Sequence, residues 1–378
     1  MGSIGRRLRS LGLLSLAGLL WLGAGRSLEA ADPADRYWLR TDYLVWWTSG
    51  VDLPPLVTTS PQGTPDFQAG VLPNATVLYG NQSFGGDGRS GFHTTLGMWL
   101  DACHNWSLEL DYLWLEHATD GFSQTSAGDP ILARPFFNTQ TGQQGSRLIA
   151  YTGRVAGTVS VETRDQFQSA GALVGYKVCG ADFLIGPRYY NLGDRLGISE
   201  FVTVTQPGPA ENTTFLIRDD FYANNDFWGV DLGFRTRLER GRWSLDILAK
   251  AALGNTHRTV NIDGQTVVTA PNQPPVTQTG GILAVGTNSG NYQSDSFTMI
   301  PQLGLELGCQ VNCNWRVYFG YNILYWACVS RAANQVDLNV DPRNFPPPLA
   351  GATPFPAFRD RTSGFWAQGM NVGAEYRF

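Results

Sequence analysis

The last fourteen residues, FWAQGMNVGAEYRF, alternate strictly between apolar and polar positions. The apolar parity holds Met370, Val372, Ala374, Tyr376 and Phe378, and the positions between them are polar or small. A period of two residues is typical of a β-strand with two unlike faces. The pattern therefore predicts a final strand with one apolar face and one polar face.

The same alternation recurs in nine earlier segments, so the chain predicts ten strands. It is clearest in FWGVDLGFRTRLE, where Trp228, Val230 and Leu232 alternate with Gly229, Asp231 and Gly233. The remaining segments begin near residues 37, 91, 106, 167, 181, 243, 301 and 315. No helical periodicity is needed to describe these segments, which indicates an all-β fold.

The connections between these segments alternate in length. Four are short, with the sequences ACHN, CGA, RGR and VNCN, and five are long, at about 48–90, 117–166, 193–226, 257–295 and 329–363. Short turns on one side and long loops on the other are typical of an outer-membrane barrel. We predict a transmembrane, antiparallel, up-and-down β-barrel of about ten strands (8–12), with short periplasmic turns and long extracellular loops.

Tryptophan placement supports a membrane-spanning wall. Trp106, Trp243 and Trp315 each follow a short turn, and Trp114 and Tyr325 lie farther along on the same parity. Aromatic side chains of this kind favour both membrane interfaces. The alternative, a soluble β-sandwich, would have to bury every apolar face and would not explain the unequal loops. The apolar faces are therefore predicted to contact outer-membrane lipid.

The N-terminal segment predicts export. Arg6, Arg7 and Arg9 precede an apolar run from Leu11 to Leu22, and small residues follow. This order is typical of a secretory signal peptide. We expect residues 1–31 to be the signal peptide and residues 32–378 to be one barrel domain of the outer membrane.

Several stretches also resemble one family. They include LVWW, LPPLVTTSP, ILARPFFN, DDFYANNDFWGVDLGF, GGILAVGTNSGNY, FTMIPQLGLELG and the C-terminal segment. In this order they resemble the beta-barrel porin seven family of bacterial outer-membrane proteins. The resemblance implies a signal peptide and an outer-membrane barrel, and it carries over no catalytic or binding residue. Separately, Tyr376 and Phe378 resemble the C-terminal signal that is read by the outer-membrane assembly machinery.

The polar faces supply candidates for the barrel interior. Acidic and basic residues nearly balance there, and a narrow barrel is filled by its own side chains. We therefore expect long arginine side chains to pair across the lumen and to leave a narrow passage or none. The candidates are Arg40, Asp42, Glu109, Asp111, Arg188, Asp231, Arg235, Arg237, Asp246, Lys250, Glu306, Arg316, Glu375 and Arg377.

Catalytic and metal chemistry have little support in the sequence. His93, His117 and His257 lie on predicted strands, but none has a motif that indicates a catalytic triad. The Asp219–Asp220 pair and the Asn224–Asp226 stretch have calcium-ligand chemistry, although a turn cap or a solvated loop is the preferred explanation of both. We expect no enzyme activity, no cofactor and no metal. The net charge of -5 gives no electrostatic case for binding nucleic acid.

Four of the five cysteines lie in or beside short turns. A periplasmic rim is an oxidising environment in which disulfides persist. We expect Cys309 and Cys313 to pair ahead of Cys103 and Cys179, because the second pair requires two adjacent hairpins to lean together. Free thiols are the alternative, and Cys328 has no predicted partner.

Three functions remain open at this point. The first is a porin that gives narrow or gated passage to small solutes. The second is a surface-exposed structural or adhesive barrel whose long loops bind a partner or glycan. The third is a hydrolase embedded in the barrel. The sequence indicates neither a solute nor an oligomeric state.

Overall fold

Ten antiparallel strands form a closed barrel in the computed structural model, which describes residues 36–378. The expected signal peptide lies outside the described residues. Within them, no helix is long and apolar enough to cross a membrane. The barrel strands are β1 (Tyr37–Thr48), β2 (Arg89–Trp99), β3 (Trp106–Ser126), β4 (Val155–Val178), β5 (Ala181–Val204), β6 (Thr214–Arg240), β7 (Trp243–Thr269), β8 (Gly290–Gln310), β9 (Trp315–Ser330) and β10 (Thr362–Arg377).

Each strand pairs with its neighbour in sequence, and β1 pairs with β10 to close the wall. The chain end completes this seam, because Tyr37 and Phe378 exchange two backbone hydrogen bonds of 2.9 Å. Their rings also stack with centroids 5.8 Å apart. The prediction of a ten-stranded up-and-down barrel is confirmed. We call the end of the barrel that carries the four short connections, at residues 100–105, 179–180, 241–242 and 311–314, the short-turn rim.

The outward faces form an apolar band next to this rim. On β7 the outward side chains run from Trp243 and Leu245 to Leu253, all apolar, and then change to Asn255 and His257. Ten residues of tilted strand rise about 25 Å, which is the height of a membrane's apolar band. The predicted lipid-facing parity thus agrees with the exposed side chains.

The strands β3 to β8 continue well beyond this band. β6 alone has 27 residues, and at about 3.3 Å per residue and a tilt of about 40° it rises roughly 65–70 Å. The long loops expected at 117–166, 193–226 and 257–295 are therefore wrong in their bounds, because strand occupies most of those ranges. The actual connections are residues 127–154, 205–213 and 270–289.

Above the band the chemical character of the two strand faces is exchanged, so that inward side chains are apolar and outward side chains are polar. On β7, Val260 and Ile262 point inward and are at most 2% exposed, whereas Asn261 and Asp263 point outward. We call this part of the barrel the long-loop half. It comprises the strand residues beyond the apolar band and the connections 49–88, 127–154, 205–213, 270–289 and 331–361.

The connections fold into the barrel and fill the long-loop half. A small sheet inside it is built from Val57–Thr59, Thr76–Tyr79, Leu132–Asn138, Gln143–Ala150 and Asn339–Val340. Val51–Leu53 pairs with Gln82–Phe84, and Val276–Thr279 extends the edge of β7. Two short 3-10 helices lie at Ala333–Gln335 and Pro342–Asn344. Apolar side chains of these segments pack against the inward faces of β4 to β7 as one buried cluster.

Candidate functional site

The centre of the lumen near the short-turn rim is a lattice of buried ion pairs. Arg188, on β5, donates two hydrogen bonds of 2.6 and 2.7 Å to the carboxylate of Asp111, on β3. Its Nε donates at 2.7 Å to Asp231, which also accepts from Nζ of Lys250 at 2.9 Å. His93 lies between the carboxylates of Asp42 and Asp111, at 3.1 and 3.8 Å. Each charge thus faces at least one opposite charge.

The other predicted lumen residues lie in the same layer or at the rim. Arg40 pairs with Glu306 at 2.7 Å, and Arg235 pairs with Glu109. Arg237 and Arg316 share Asp246, at 2.7 and 2.8 Å. Glu375 accepts from Arg377 at 2.8 Å, beside Arg316 at 3.5 Å. Each of the fourteen predicted residues therefore pairs with an opposite charge or with His93, and the pairs fall into four separate groups.

A small cavity remains inside this charged layer. Its volume is about 90 Å³, which is room for a few water molecules. Arg40, His93, Arg188 and Lys250 are among its polar lining. Trp46 lines the same cavity, and its buried indole N–H has no hydrogen-bond partner.

Above the cavity the inward side chains become apolar. We call this layer the apolar belt. Trp326, Phe227 and Phe365 are 0% exposed, and Phe167 is 1% exposed. Side chains so deeply buried leave no passage wide enough for water beside them. The belt comprises Leu44, Trp46, Leu113, Leu115, Phe167, Tyr190, Leu192, Phe227, Ala252, Ile300, Leu324, Trp326, Val329, Phe365 and Ala367.

A second set of buried charges lies on the far side of the apolar belt. Asp165 accepts from Arg89 at 3.1 Å and from Arg331 at 3.3 Å. Arg331 also donates to Asp194, whose other oxygen accepts the backbone N–H of Ala332 at 2.6 Å. All four charged groups are at most 7% exposed. These pairs attach the start of connection 331–361 to the inner wall.

Asp219 attaches two further connections. Its Oδ1 accepts the backbone N–H groups of Ile282, Leu283 and Ala284 at 2.8, 3.0 and 2.8 Å. Its Oδ2 lies 2.7 Å from a guanidinium nitrogen of Arg134. Asp219 is 0% exposed, so one buried carboxylate on β6 holds segments from connections 127–154 and 270–289.

The stretch from Asp219 to Asp226 lies in a strand, so the solvated-loop interpretation is wrong. Asp219 and Asp220 lie in strand β6, where Asp219 points inward and Asp220 points outward to pair with Arg195. Asp226, also outward, accepts from Tyr189 at 2.6 Å. Among residues 36–378, no group of three or more His, Cys, Asp or Glu side chains is arranged to hold a metal ion.

The three candidate histidines contact charged groups. His93 lies between two carboxylates, His117 contacts Arg164, and His257 lies 3.1 Å from Asp295. Within the described chain, none of the three is hydrogen-bonded to a serine or threonine hydroxyl. The arrangement needed for an activated serine is therefore not formed at any of them.

The cysteines all carry free thiols in the structure. Cys309 lies on β8 opposite Val317 and Trp243, and Cys313 lies at the tip of the following turn. Their pairing stays a prediction, as does that of Cys103 with Cys179. Cys328 is exposed beside an irregularity in the pairing of β9 with β10.

The filled long-loop half is the feature that sequence reasoning missed. Its signal is present in stretches such as TVNIDGQTVV, where apolar and polar side chains still alternate. Here, however, the apolar side chains are on the inward parity and polar ones are on the outward parity, as in the wall of a water-soluble barrel. An outward polar face with an inward apolar face implies that something apolar occupies the interior. Which segment occupies it depends on contacts between residues distant in sequence, such as Asp219 with Leu283.

A comparison with protein families agrees with this architecture. The family model described as "Putative beta barrel porin-7 (BBP7)" matches residues 38–378. Among curated proteins, none matches the chain.

Three of the similar solved structures are bacterial outer-membrane proteins of low identity. The outer membrane protease OmpT from Escherichia coli is 8% identical, over 90% of this chain and 97% of that chain, with a TM-score of 0.34. The Pseudomonas putida toluene transporter TodX is 8% identical, over 91% and 90%, with a TM-score of 0.23. A Pseudomonas aeruginosa FadL homologue is 9% identical, over 90% of each chain, with a TM-score of 0.24. Since the family model spans the barrel from β1 to the terminal Phe378, the chain belongs to the beta barrel porin-7 family of outer-membrane β-barrels.

Proposed function

We propose that this protein is a closed outer-membrane barrel with a structural role, which presents its long-loop half at the cell surface and passes no solute through its lumen. The observation that carries the proposal is the apolar belt, whose aromatic side chains are 0–2% exposed. The buried sheet and the paired charges above it support the same conclusion.

Opening the belt would be costly. A passage requires aromatic side chains such as Phe167, Phe227, Trp326 and Phe365 to leave the interior. Each transfer to water costs about 1.5–3 kcal/mol, so four cost roughly 6–12 kcal/mol. Because every 1.4 kcal/mol is a factor of ten, the open fraction is below about one in ten thousand. Thermal opening therefore does not supply a useful flux.

Narrow solute passage is the second candidate. The observation that favours it is the cavity of about 90 Å³ beneath the belt. This cavity is large enough for a few water molecules, and its polar lining resembles that of a channel vestibule. A ligand would then have to displace the belt. Hydrolysis is the third candidate: His93 and His257 each lie 3.1 Å from an aspartate, but among residues 36–378 neither is hydrogen-bonded to a serine or threonine hydroxyl.

A flux assay distinguishes the two main candidates. The purified protein is placed in liposomes, and swelling is followed in a solution of a small sugar, with a general-diffusion porin as the positive control. The closed-barrel proposal expects the swelling rate of protein-free liposomes. Swelling that increases with the amount of this protein would favour the passage candidate instead.

The same proposal includes an orientation. The short-turn rim faces the periplasm and the long-loop half faces outward. Epitope tags in the exposed positions near 62, 141, 273 and 349 should bind antibody on intact cells, whereas a tag near 241 should bind only after the outer membrane is opened. Binding at 241 on intact cells would reverse the orientation.

A further inference from the structure

Two turns of the short-turn rim lie side by side. The ladder between β3 and β4 pairs Trp106 with Tyr176, and their rings lie 4.4 Å apart. The next rung is still formed, because the backbone N–H of Lys177 donates to the carbonyl of Asn105 at 2.8 Å. The connections 100–105 and 179–180 therefore leave the barrel wall as direct neighbours.

Each of these two neighbouring turns carries a cysteine close to the last rung of the ladder. Each rung toward the rim lowers the residue number on β3 by one and raises it on β4 by one. Beyond the rung of 105 with 177, β3 gives way to the turn 100–105 and β4 ends at Val178. Cys103 and Cys179 each lie two residues beyond this rung, in adjacent turns, and both thiols are exposed.

Both turns also fix their backbone. Asp101 holds the first turn, since its Oδ1 accepts the N–H groups of Asn105 at 2.9 Å and Trp106 at 2.7 Å. In the second, Cys179 and Gly180 have φ values of 51° and 88°. A two-residue turn of this type favours Asn, Asp or Gly at its first position. The backbone therefore gives no reason for a cysteine at position 179, and an unusual residue in such a conformation points to a role of its side chain.

We propose that Cys103 and Cys179 form a disulfide that joins the two hairpins at the short-turn rim. The oxidant is a disulfide, either that of a thioredoxin-like oxidoreductase in the envelope or glutathione disulfide in a test tube. The two thiols lose two protons and two electrons, one S–S bond forms between them, and the S–S bond of the oxidant becomes two thiols. The pairing of Cys309 with Cys313, which the sequence placed first, stays a separate prediction.

The bond would link β3 and β4 covalently at the short-turn rim. It links chain positions that enclose both strands and the whole connection 127–154. Cross-links that close long stretches of chain restrict the unfolded state most. In the wild-type protein, the bridged form should accordingly resist urea to a higher midpoint than the reduced form.

Peptide mapping tests the proposal. Protein extracted from envelopes is blocked with N-ethylmaleimide, digested without reduction and analysed by mass spectrometry. We expect a peptide that links Cys103 to Cys179, in the wild type and equally in a matched control that carries Cys309→Ser and Cys313→Ser. In Cys103→Ser, Cys179 should instead carry the maleimide.

The wild-type map alone is decisive, so a variant that fails to fold does not leave the question open. Cys103 and Cys179 both alkylated in wild-type protein, or either one linked to a different cysteine, would overturn the proposal. A second measurement adds glutathione disulfide to reduced, folded protein in detergent. The expected product is the intramolecular bridge, and a product with glutathione on both cysteines would count against it.

Discussion

Replacing the buried carboxylate of Asp219 tests how the interior of the long-loop half is held. Asp219→Asn keeps an oxygen for the three N–H groups of residues 282–284 but removes the charge that strengthens those bonds. Hydrogen bonds to a charged group contribute about 1.5–3 kcal/mol each, against about 0.5–1.5 kcal/mol for neutral ones. The substitution also leaves Arg134 with a weaker partner, Glu200, at 3.6 Å.

The expected loss is about 3 kcal/mol in the local stability of segment 280–285. A loss of this size increases amide exchange of residues 282–284 by about 100-fold, because every 1.4 kcal/mol is a factor of ten. The assay is hydrogen–deuterium exchange with mass spectrometry on folded protein in detergent. Peptides of the short-turn rim should exchange as in the wild type.

Asp220→Asn is the matched control. The two residues are adjacent on β6, but Asp220 points outward and pairs with the exposed Arg195. Exposed ion pairs contribute about 0–1 kcal/mol, so exchange in 282–284 should hardly change. Equal effects of the two substitutions would refute the assignment of Asp219 as the anchor of this segment.

Two further predictions concern the wall and one connection. Leu232→Arg, in the middle of the apolar band of β6, should reduce barrel stability by about 2–4 kcal/mol, whereas Leu238→Arg near the rim should reduce it by about 0–1 kcal/mol. Folding into vesicles at graded urea concentrations measures both losses. Equal losses would contradict the assigned depths of the two residues in the membrane. In connection 331–361, hydrogen bonds from the Arg343 guanidinium hold the pKa of Asp341 below its usual range. Stability from this contact is therefore present above the ordinary carboxyl pKa of about 4 and is lost as pH falls. Amides near Thr353 should lose protection in acid, after correction for intrinsic rates, and an acid-independent protection would count against this role.

Part of this architecture follows from local sequence. The alternation of Trp228, Val230 and Leu232 with polar or small residues predicts both the strand and its lipid-facing side, since a period of two is set by the pleat itself. The count of ten strands follows in the same way. Such patterns need only neighbouring residues, and they agree with the structure where the outward face of the wall is apolar.

The pairing of the interior could not be predicted in the same way. Arg40 and Glu306 are separated by 266 positions, and Arg331 and Asp165 by 166. Alternation shows that each of these side chains points inward, but the partner depends on strand register and on which connection enters the barrel. The sequence of the long-loop half also alternates, so its strands could be predicted. Which of their two faces points inward depends on what fills the interior, and local sequence does not show this.

Recording ion current through single molecules in a planar bilayer is the most direct test of the filled lumen. Ions are smaller than any sugar and pass wherever a continuous file of water exists. Because the apolar belt leaves no passage of that width, the protein should insert without stepwise increases in current, at low and high salt alike. Reproducible current steps that scale with salt concentration, in a preparation free of other porins, would contradict the account.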